Sequence, residues 1–243
     1  MMKQLFCALL LALPLALQAA GSGYPLDKAP IDLHDKASLQ RGAQLFMNYC
    51  SGCHATQYQR YQRVADDLGI PYELMKEHLM FIEDHKIGDL MKNSMTEKDA
   101  AKWFGAPPPD LTLVARVRGA DWVYTYLRTF YADPARPWGV NNLVFKDVGM
   151  PHVLQELQGI PTLISEQDDE GHHGPQQIET DGSGELSADE YNQAVGDLVN
   201  FLVYAAEPMQ VERKQLGLWV MLFLSVFFVF AYLLKKEYWR DVH

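Results

Sequence analysis

The chain has 243 residues, and its 31 acidic against 21 basic side chains give a formal net charge of −10. A protein this acidic is a poor candidate for nucleic-acid binding and is better suited to basic or neutral surfaces. Between its two apolar ends the composition is that of an ordinary globular protein, long enough for one or two domains.

The N-terminal stretch MMKQLFCALLLALPLALQAAGSG has one positive charge, Lys3, before an apolar run from Leu5 to Leu17, then small residues at Ala19, Ala20 and Gly21. This is the plan of a secretory signal peptide, expected over residues 1–20 with cleavage near Ala19 or Ala20. The run is short for a bilayer span. Cys7 falls inside it, so the mature chain is expected to keep only Cys50 and Cys53.

Helical periodicity dominates the region between the signal and the far apolar end. Ser38–Cys50 places Leu39, Ala43, Phe46 and Met47 at helical spacing. Pro71–His85 reads as a helix with proline in its first turn. Asp110–Tyr131 reads as two helical stretches hinged near Gly119. A last soluble helix opens at Ser187, whose S-A-D-E string offers a capping box with Glu190. It carries Val195, Leu198, Leu202 and Ala205 on one stripe and ends near Pro208. Strand signals are few, and Ala132–Gly149 and Glu166–Gly184 read as long irregular connections. The expected fold class is mostly α with long loops.

Leu216–Leu234 is a run of 19 residues without a charge. As a helix it would rise about 28 Å, close to the hydrocarbon thickness of a bilayer. Trp219 stands near one end and Tyr232, Tyr238 and Trp239 near the other, where interfacial aromatics lie. Arg213 and Lys214 precede the run; Lys235, Lys236 and Arg240 follow it. With an N-terminal signal, this predicts an exported domain over residues 21–210, a transmembrane anchor over 211–235 and a cytoplasmic tail over 236–243.

Cys50-Ser51-Gly52-Cys53-His54 is the attachment pattern of a c-type haem. Two thiols three residues apart can each form a thioether with one vinyl group, and the next residue, His54, then supplies an imidazole to the iron. Zinc would require further strong ligands. A thioredoxin-like dithiol would require a βαβ setting, and a plain disulfide would leave His54 without a role. The second axial ligand decides between open-site chemistry and electron transfer. Gly149-Met150-Pro151 has the form of a ligand loop: glycine permits close approach, and proline fixes the backbone after the sulfur. Met91 and Met95 are rivals in stretches that read as helix or helix end. His152 is an awkward competitor, and His172 and His173 lie in a polar loop.

Glu179–Glu190 imitates a calcium loop, with oxygen-bearing side chains at the expected intervals and glycine at the sixth position. Its first position is glutamate where aspartate is wanted, and the Gly-His-His-Gly-Pro stretch before it cannot form the incoming helix. Calcium is therefore not expected.

The haem motif, APPPDLT at Ala106–Thr112, ARVR at Ala115–Arg118, GMPHVLQELQG at Gly149–Gly159 and AAEP at Ala205–Pro208 occur in this order before a single span. In these motifs the chain resembles the cytochrome c1 family, the haem subunit of the ubiquinol–cytochrome c oxidoreductase (bc1) complex. The resemblance covers about Ala29 to His243. It implies a cytochrome c-like haem domain with one C-terminal transmembrane helix, and one covalently attached haem c held by Cys50 and Cys53. His54 and Met150 would be its axial ligands, and Arg118 would pair with a propionate, a role that the residue alone does not distinguish from a surface arginine. It leaves Trp122 or Tyr124 as the aromatic at that propionate and places Pro107, Pro108 and Pro109 at the haem edge.

The resemblance also implies partners: cytochrome b, a Rieske iron–sulfur subunit as electron donor, and a c-type cytochrome as acceptor. The implied role is that of a one-electron carrier with no independent enzymatic activity, anchored in a bacterial inner membrane with its haem domain in the periplasm. From Asp147 to Gln210 there are 13 acidic residues and no Lys or Arg, densest at Glu166, Asp168, Asp169 and Glu170. Such a stretch would steer a basic acceptor. A haem enzyme or gas sensor with an open distal site, and a calcium-responsive anchoring module, are the readings it must displace.

Overall fold

In the computed structural model, residues 23–164 and 177–240 are described. Helix α1, Lys36–Leu45, starts on Asp35, whose carboxylate accepts from the Ser38 N–H at 3.0 Å. It runs straight into a π-helical turn, Phe46–Cys50. Strand β1, Thr56–Arg60, is followed by α2, Tyr61–Leu68, and α3, Tyr72–His78. Strand β2, Leu90–Met91, pairs antiparallel with β1. Helix α4, Glu97–Phe104, is capped by Thr96, whose hydroxyl accepts from Asp99 N–H at 3.1 Å. Helices α5, Val114–Val117, and α6, Ala120–Arg128, are separated by Gly119. That glycine has φ +93°, a left-handed conformation costly for any residue with a Cβ. The expected hinge is therefore present.

Strands β3, Phe130–Ala132, and β4, Val140–Asn142, form an antiparallel pair. After the short helix α7, Gln155–Gln158, strand β5, Pro161–Ile164, pairs with β6, Gln177–Thr180. Helix α8, Ala188–Ala206, and helix α9, Gln210–Tyr238, complete the chain. The class is mostly α with three small two-stranded sheets.

The chain divides into two compact units. One contains Pro30–Ala120 and Gln193–His243. Its core is built on α8, where Val195, Leu198, Leu202 and Ala205 are all buried as the periodicity requires, together with Phe201, whose ring centroid lies 5.7 Å from that of Phe46. Each such aliphatic side chain contributes about 1.5–3 kcal/mol by leaving water. Helices α1 and α8 touch through backbone: a Cβ on Gly42 would lie 2.0 Å from the Asp197 carbonyl oxygen. Beside it, Arg41 forks onto the Asp197 carboxylate at 2.6 and 3.0 Å. The other unit contains Asp121–Asn192 with the segment ending at Ala29. Its centre is an aromatic and aliphatic cluster of Phe130, Val140 and Val148, with Tyr126 and Met150 packed against it.

Helix α9 has no buried residue and is long and apolar enough to cross a membrane. Its 29 residues rise about 43 Å, more than the hydrocarbon thickness. At its start, Glu207 accepts from Arg116 at 2.7 Å and from Arg213, and Gln210 adds a bond at 3.4 Å. The Arg213 contact first, then Gln210 and Arg116, hold the Glu207 carboxyl down at about 2.

Several local expectations are corrected. The helix expected over Pro71–His85 stops at His78: Leu79 leaves helical geometry with φ −131° and ψ 4°, and Leu79 and Met80 are both buried. Helices α2 and α4, strand β4 and the β5–β6 pairing lie in segments where no regular structure was expected, and the helix expected to run to Tyr131 ends at Arg128, with Phe130 and Tyr131 paired in β3. Met91 belongs to β2 and Met95 to the connection after it, so neither is helical. The capping box is present: Ser187 N–H and hydroxyl donate to Glu190 at 2.9 and 2.6 Å, and Glu190 N–H donates back to the Ser187 hydroxyl at 3.4 Å.

Candidate haem-attachment site

The π turn is where the attachment motif sits. Its wider ring closes Ser51 N–H onto Phe46 C=O at 2.9 Å, and Cys53 and His54 N–H then both fold back onto Cys50 C=O at 3.1 and 2.8 Å. The five residues of the motif are thus wound into one compact loop at the end of a helix that buries one face. Both cysteines are free thiols, Cys50 buried and Cys53 half-buried. Burial first, then the neighbouring Cys53, pushes the Cys50 thiol up to about 12, so it rests protonated. Asn93 donates to Cys53 C=O at 2.8 Å and fixes the end of the loop.

His54 is 9% exposed and its Nδ1 lies 2.7 Å from Pro109 C=O. A carbonyl can only accept, so Nδ1 carries the proton and Nε2 carries the lone pair. Burial lowers the affinity of the ring for a second proton, more than the Pro109 carbonyl and Asp110 raise it, and the imidazole stays neutral. This is how a metal-ligating histidine is held: one nitrogen oriented by a backbone acceptor, the other free to donate electrons.

The APPPDLT segment is stitched to the chain just past His54. Leu111 N–H donates to Ala55 C=O at 2.8 Å, and Asp110 accepts from Gln57 N–H at 2.8 Å and from Thr112 N–H at 3.0 Å. The orienting role of Pro109 was not expected from the sequence. Its only local signal is the run of three prolines, which stiffens the backbone that offers the carbonyl.

A cleft of about 340 Å³ adjoins the motif, lined in part by Phe46, Met47, His54, Phe81, Met91 and Met95. Gly52 has open space around the position a Cβ would take. Two thiols on one short loop, a neutral imidazole with Nε2 available and a cleft that gathers Met47, Met91 and Met95 beside Asn48, Asn93 and Ser94 fit a covalently bound haem. Met91 and Met95, the rivals to Met150, belong to the same unit as His54.

Met150 belongs to the other unit. It is half-buried, and its sulfur accepts from the Tyr126 hydroxyl at 3.4 Å. Tyr126 stacks on Trp122, with centroids 5.0 Å apart, and meets Phe130 edge-on at 5.1 Å. Burial raises the Tyr126 phenol well above its ordinary value, so it is a donor at neutral pH. His152 is buried, stacks on Phe130 at 4.9 Å and engages Gln158 through Nε2 at 2.7 Å. Burial brings its pKa down to about 4. A ring so pinned is a core histidine.

Of the two aromatics expected near a propionate, Tyr124 is committed elsewhere: its hydroxyl donates to Asn192 C=O at 3.4 Å and its ring lies under the Arg128 guanidinium. Trp122 is part of the stack on Tyr126, a residue the sequence had not singled out. Arg118 is exposed and ends α5, its N–H bonded to Val114 C=O at 2.8 Å.

The segment that imitates a calcium loop begins in strand β6. Asp181 then accepts from Ile160 N–H at 2.9 Å and from Ser183 N–H at 3.0 Å, and Glu190 is bonded to Ser187. Among the described residues no group of three or more His, Cys, Asp or Glu side chains could hold a metal ion. The signal peptide, the acidic group Glu166, Asp168, Asp169 and Glu170, and His172 and His173 lie outside the described residues.

The comparisons with known proteins agree with the motif order. The model of the Cytochrome C1 family matches residues 27–242. Cytochrome c1 of Allochromatium vinosum is 53% identical over the full length of both chains. A protein of Nitrosomonas europaea named ammonia monooxygenase gamma subunit is 46% identical, over all of this chain and 99% of its own. Cytochrome c1 of Rhodobacter capsulatus is 25% identical over 85% of this chain and 84% of its own.

Proposed function

The chain belongs to the cytochrome c1 family, whose members carry one covalently attached haem c as electron-transfer subunits of the bc1 complex, and from that premise we propose how its residues divide the work. Cys50 and Cys53 form the two thioethers. His54 is the proximal ligand, and Met150 is the distal one. Arg118 pairs with a haem propionate. When bound, the haem iron supplies a one-electron couple between its ferric and ferrous states.

The chain's own contribution is to hold that couple in place and tune it. Pro109 C=O fixes the His54 tautomer at 2.7 Å and leaves Nε2 as the nitrogen that would hold the iron. A thioether at the sixth position favours the ferrous state and closes the iron to exogenous ligands, which suits a carrier and not a peroxide or gas site. The single observation that carries the reading is an imidazole oriented by a backbone carbonyl directly after two cysteines on one turn.

The electron donor we infer is a Rieske iron–sulfur subunit, and the acceptor is a c-type cytochrome; cytochrome b completes the membrane assembly. Residues 1–20 act as a signal peptide and residues 21–210 form the haem domain on the periplasmic side. The anchor is 211–235, and the tail 236–243 lies in the cytoplasm of a bacterial inner membrane. The acidic stretch around Glu166, Asp168, Asp169 and Glu170 supports a basic acceptor, because opposite charge accelerates encounter at low salt.

Mass measurement of the subunit from native membranes tests the attachment. It should show one haem retained after acid denaturation, and loss of all covalent haem when Cys50 and Cys53 are both replaced by Ser. Haem retained in that double variant would overturn the assignment. Neutralising the four acidic residues together should lower the rate of electron transfer to the native acceptor and flatten its dependence on ionic strength. An unchanged slope would remove this stretch from the docking face.

A further inference from the structure

We propose that Tyr126 is a positioning residue for the distal ligand: its phenolic O–H donates to the Met150 sulfur and sets how strongly that sulfur can bind iron. The inference rests on the assignment of Met150 as the sixth ligand. The O–H to sulfur separation is 3.4 Å. The ring that carries the hydroxyl cannot drift, because Trp122 covers it at 5.0 Å with an interplanar angle of 9°, and Phe130 meets it at 5.1 Å and 67°. The backbone is held too, since Asn142 donates to Tyr126 C=O at 2.7 Å. Methionine is unbranched and has three rotatable bonds, so a directed contact to its sulfur removes freedom that packing alone would leave. Met150 otherwise touches only the apolar cluster of Phe130, Val140 and Val148 among the groups described for it.

A thioether sulfur has two lone pairs. One can bind iron while the other accepts a hydrogen bond. A donating O–H draws electron density from the sulfur and makes it a poorer donor. Ferric iron depends more on donor density than ferrous iron does, so the bond disfavours the oxidised state and raises the potential. Neighbouring hydrogen bonds tune ligated metals in this way generally. Neither nearby aromatic hydroxyl nor imidazole can substitute: Tyr124 donates to Asn192 C=O, and His152 is held by Gln158.

The test uses the full-length, haem-loaded chain in its membrane complex. Tyr126→Phe keeps the stacked ring and removes the O–H. Its midpoint potential should shift downward at unchanged haem content, and the weak far-red charge-transfer band of the thioether-ligated ferric haem should shift with it. Tyr191→Phe, which removes a buried hydroxyl bonded to Leu127 C=O at 2.9 Å, should leave both unchanged. If Tyr126→Phe does not accumulate, site-specific replacement of Tyr126 by a fluorinated tyrosine keeps the shape and strengthens the donor, and the potential should then shift upward. A potential and band identical to the parent in either Tyr126 variant overturns the proposal, as does an equal shift in Tyr191→Phe. Met150→Leu measured in parallel separates the two levels. Loss of the far-red band there upholds the ligand, so that a silent Tyr126→Phe rejects Tyr126 alone, whereas retention of the band rejects the ligand assignment itself.

Discussion

The two compact units solve different problems with different materials. The unit containing Cys50, Cys53 and His54 is built from helices in backbone contact, with Gly42 against Asp197 and the apolar stripe of α8 at its centre. Its functional side chains succeed one another on one turn, and backbone hydrogen bonds hold them. The unit containing Met150 has short paired strands and a stack of aromatic rings, and one weak hydrogen bond orients the sulfur proposed as the distal ligand. Strong, local, backbone-defined geometry suits a permanent covalent attachment. Side-chain packing suits a ligand whose bond strength sets a potential, because single substitutions can alter it by small steps.

The largest expected effect tests the proposed distal ligand. Met150→Leu conserves volume and apolarity, yet the reduced haem should bind carbon monoxide and its potential should drop, while the thioethers at Cys50 and Cys53 persist. Met91→Leu and Met95→Leu should leave the haem spectrum unchanged. A native spectrum in Met150→Leu together with an altered one in Met91→Leu would move the distal ligand into the unit of His54.

Next in size is Gly42→Ala. The added methyl would lie 2.0 Å from a backbone oxygen, and helices α1 and α8 must separate to admit it. A loss of about 3 kcal/mol is expected on denaturation of the solubilised chain, with the sulfur-ligation band of the remaining folded protein unmoved. Phe130→Leu should do the reverse. It removes part of a fully buried ring from the cluster under Met150 and costs about 1–2 kcal/mol, but it should weaken the far-red band. Equal behaviour of the two variants in the spectrum would erase the proposed difference between the units. Ser187→Ala, which breaks the capping box of α8, should cost about 1 kcal/mol and change no spectral property; thermal unfolding of the solubilised chain measures it.

Legibility in the sequence divides along the same line. The attachment motif, the α8 stripe and the Ser187–Glu190 box are local patterns, and each appears where it was expected. The GMP loop stands out in the sequence as the candidate ligand loop because glycine and proline flank one methionine. Tyr126 was not, because its partner is 24 positions away and nothing in the YTYLR stretch distinguishes it from Tyr124. Pro109 escaped for the same reason: the atom that matters is a backbone carbonyl 55 positions from His54. The strands run from two residues in β2 to five in β1, at or below the shortest length at which alternation is visible. Helix α3 ends at Leu79, whose backbone leaves helical geometry without a glycine or proline to mark it in the sequence.

The joint at Glu207 bears on timing. One carboxylate ties the ARVR segment, through Arg116, to the first turn of the membrane helix, through Arg213, on either side of Pro208. A loose joint would let the ARVR segment shift against the first turn of that helix, and each passing configuration would have its own tunnelling rate. Tunnelling falls off exponentially with separation, so a broad spread of distances makes throughput erratic and leaves some turnovers stalled. A tied joint narrows that spread. Its service to the molecule is regularity, with successive electrons leaving the protein at nearly the same interval.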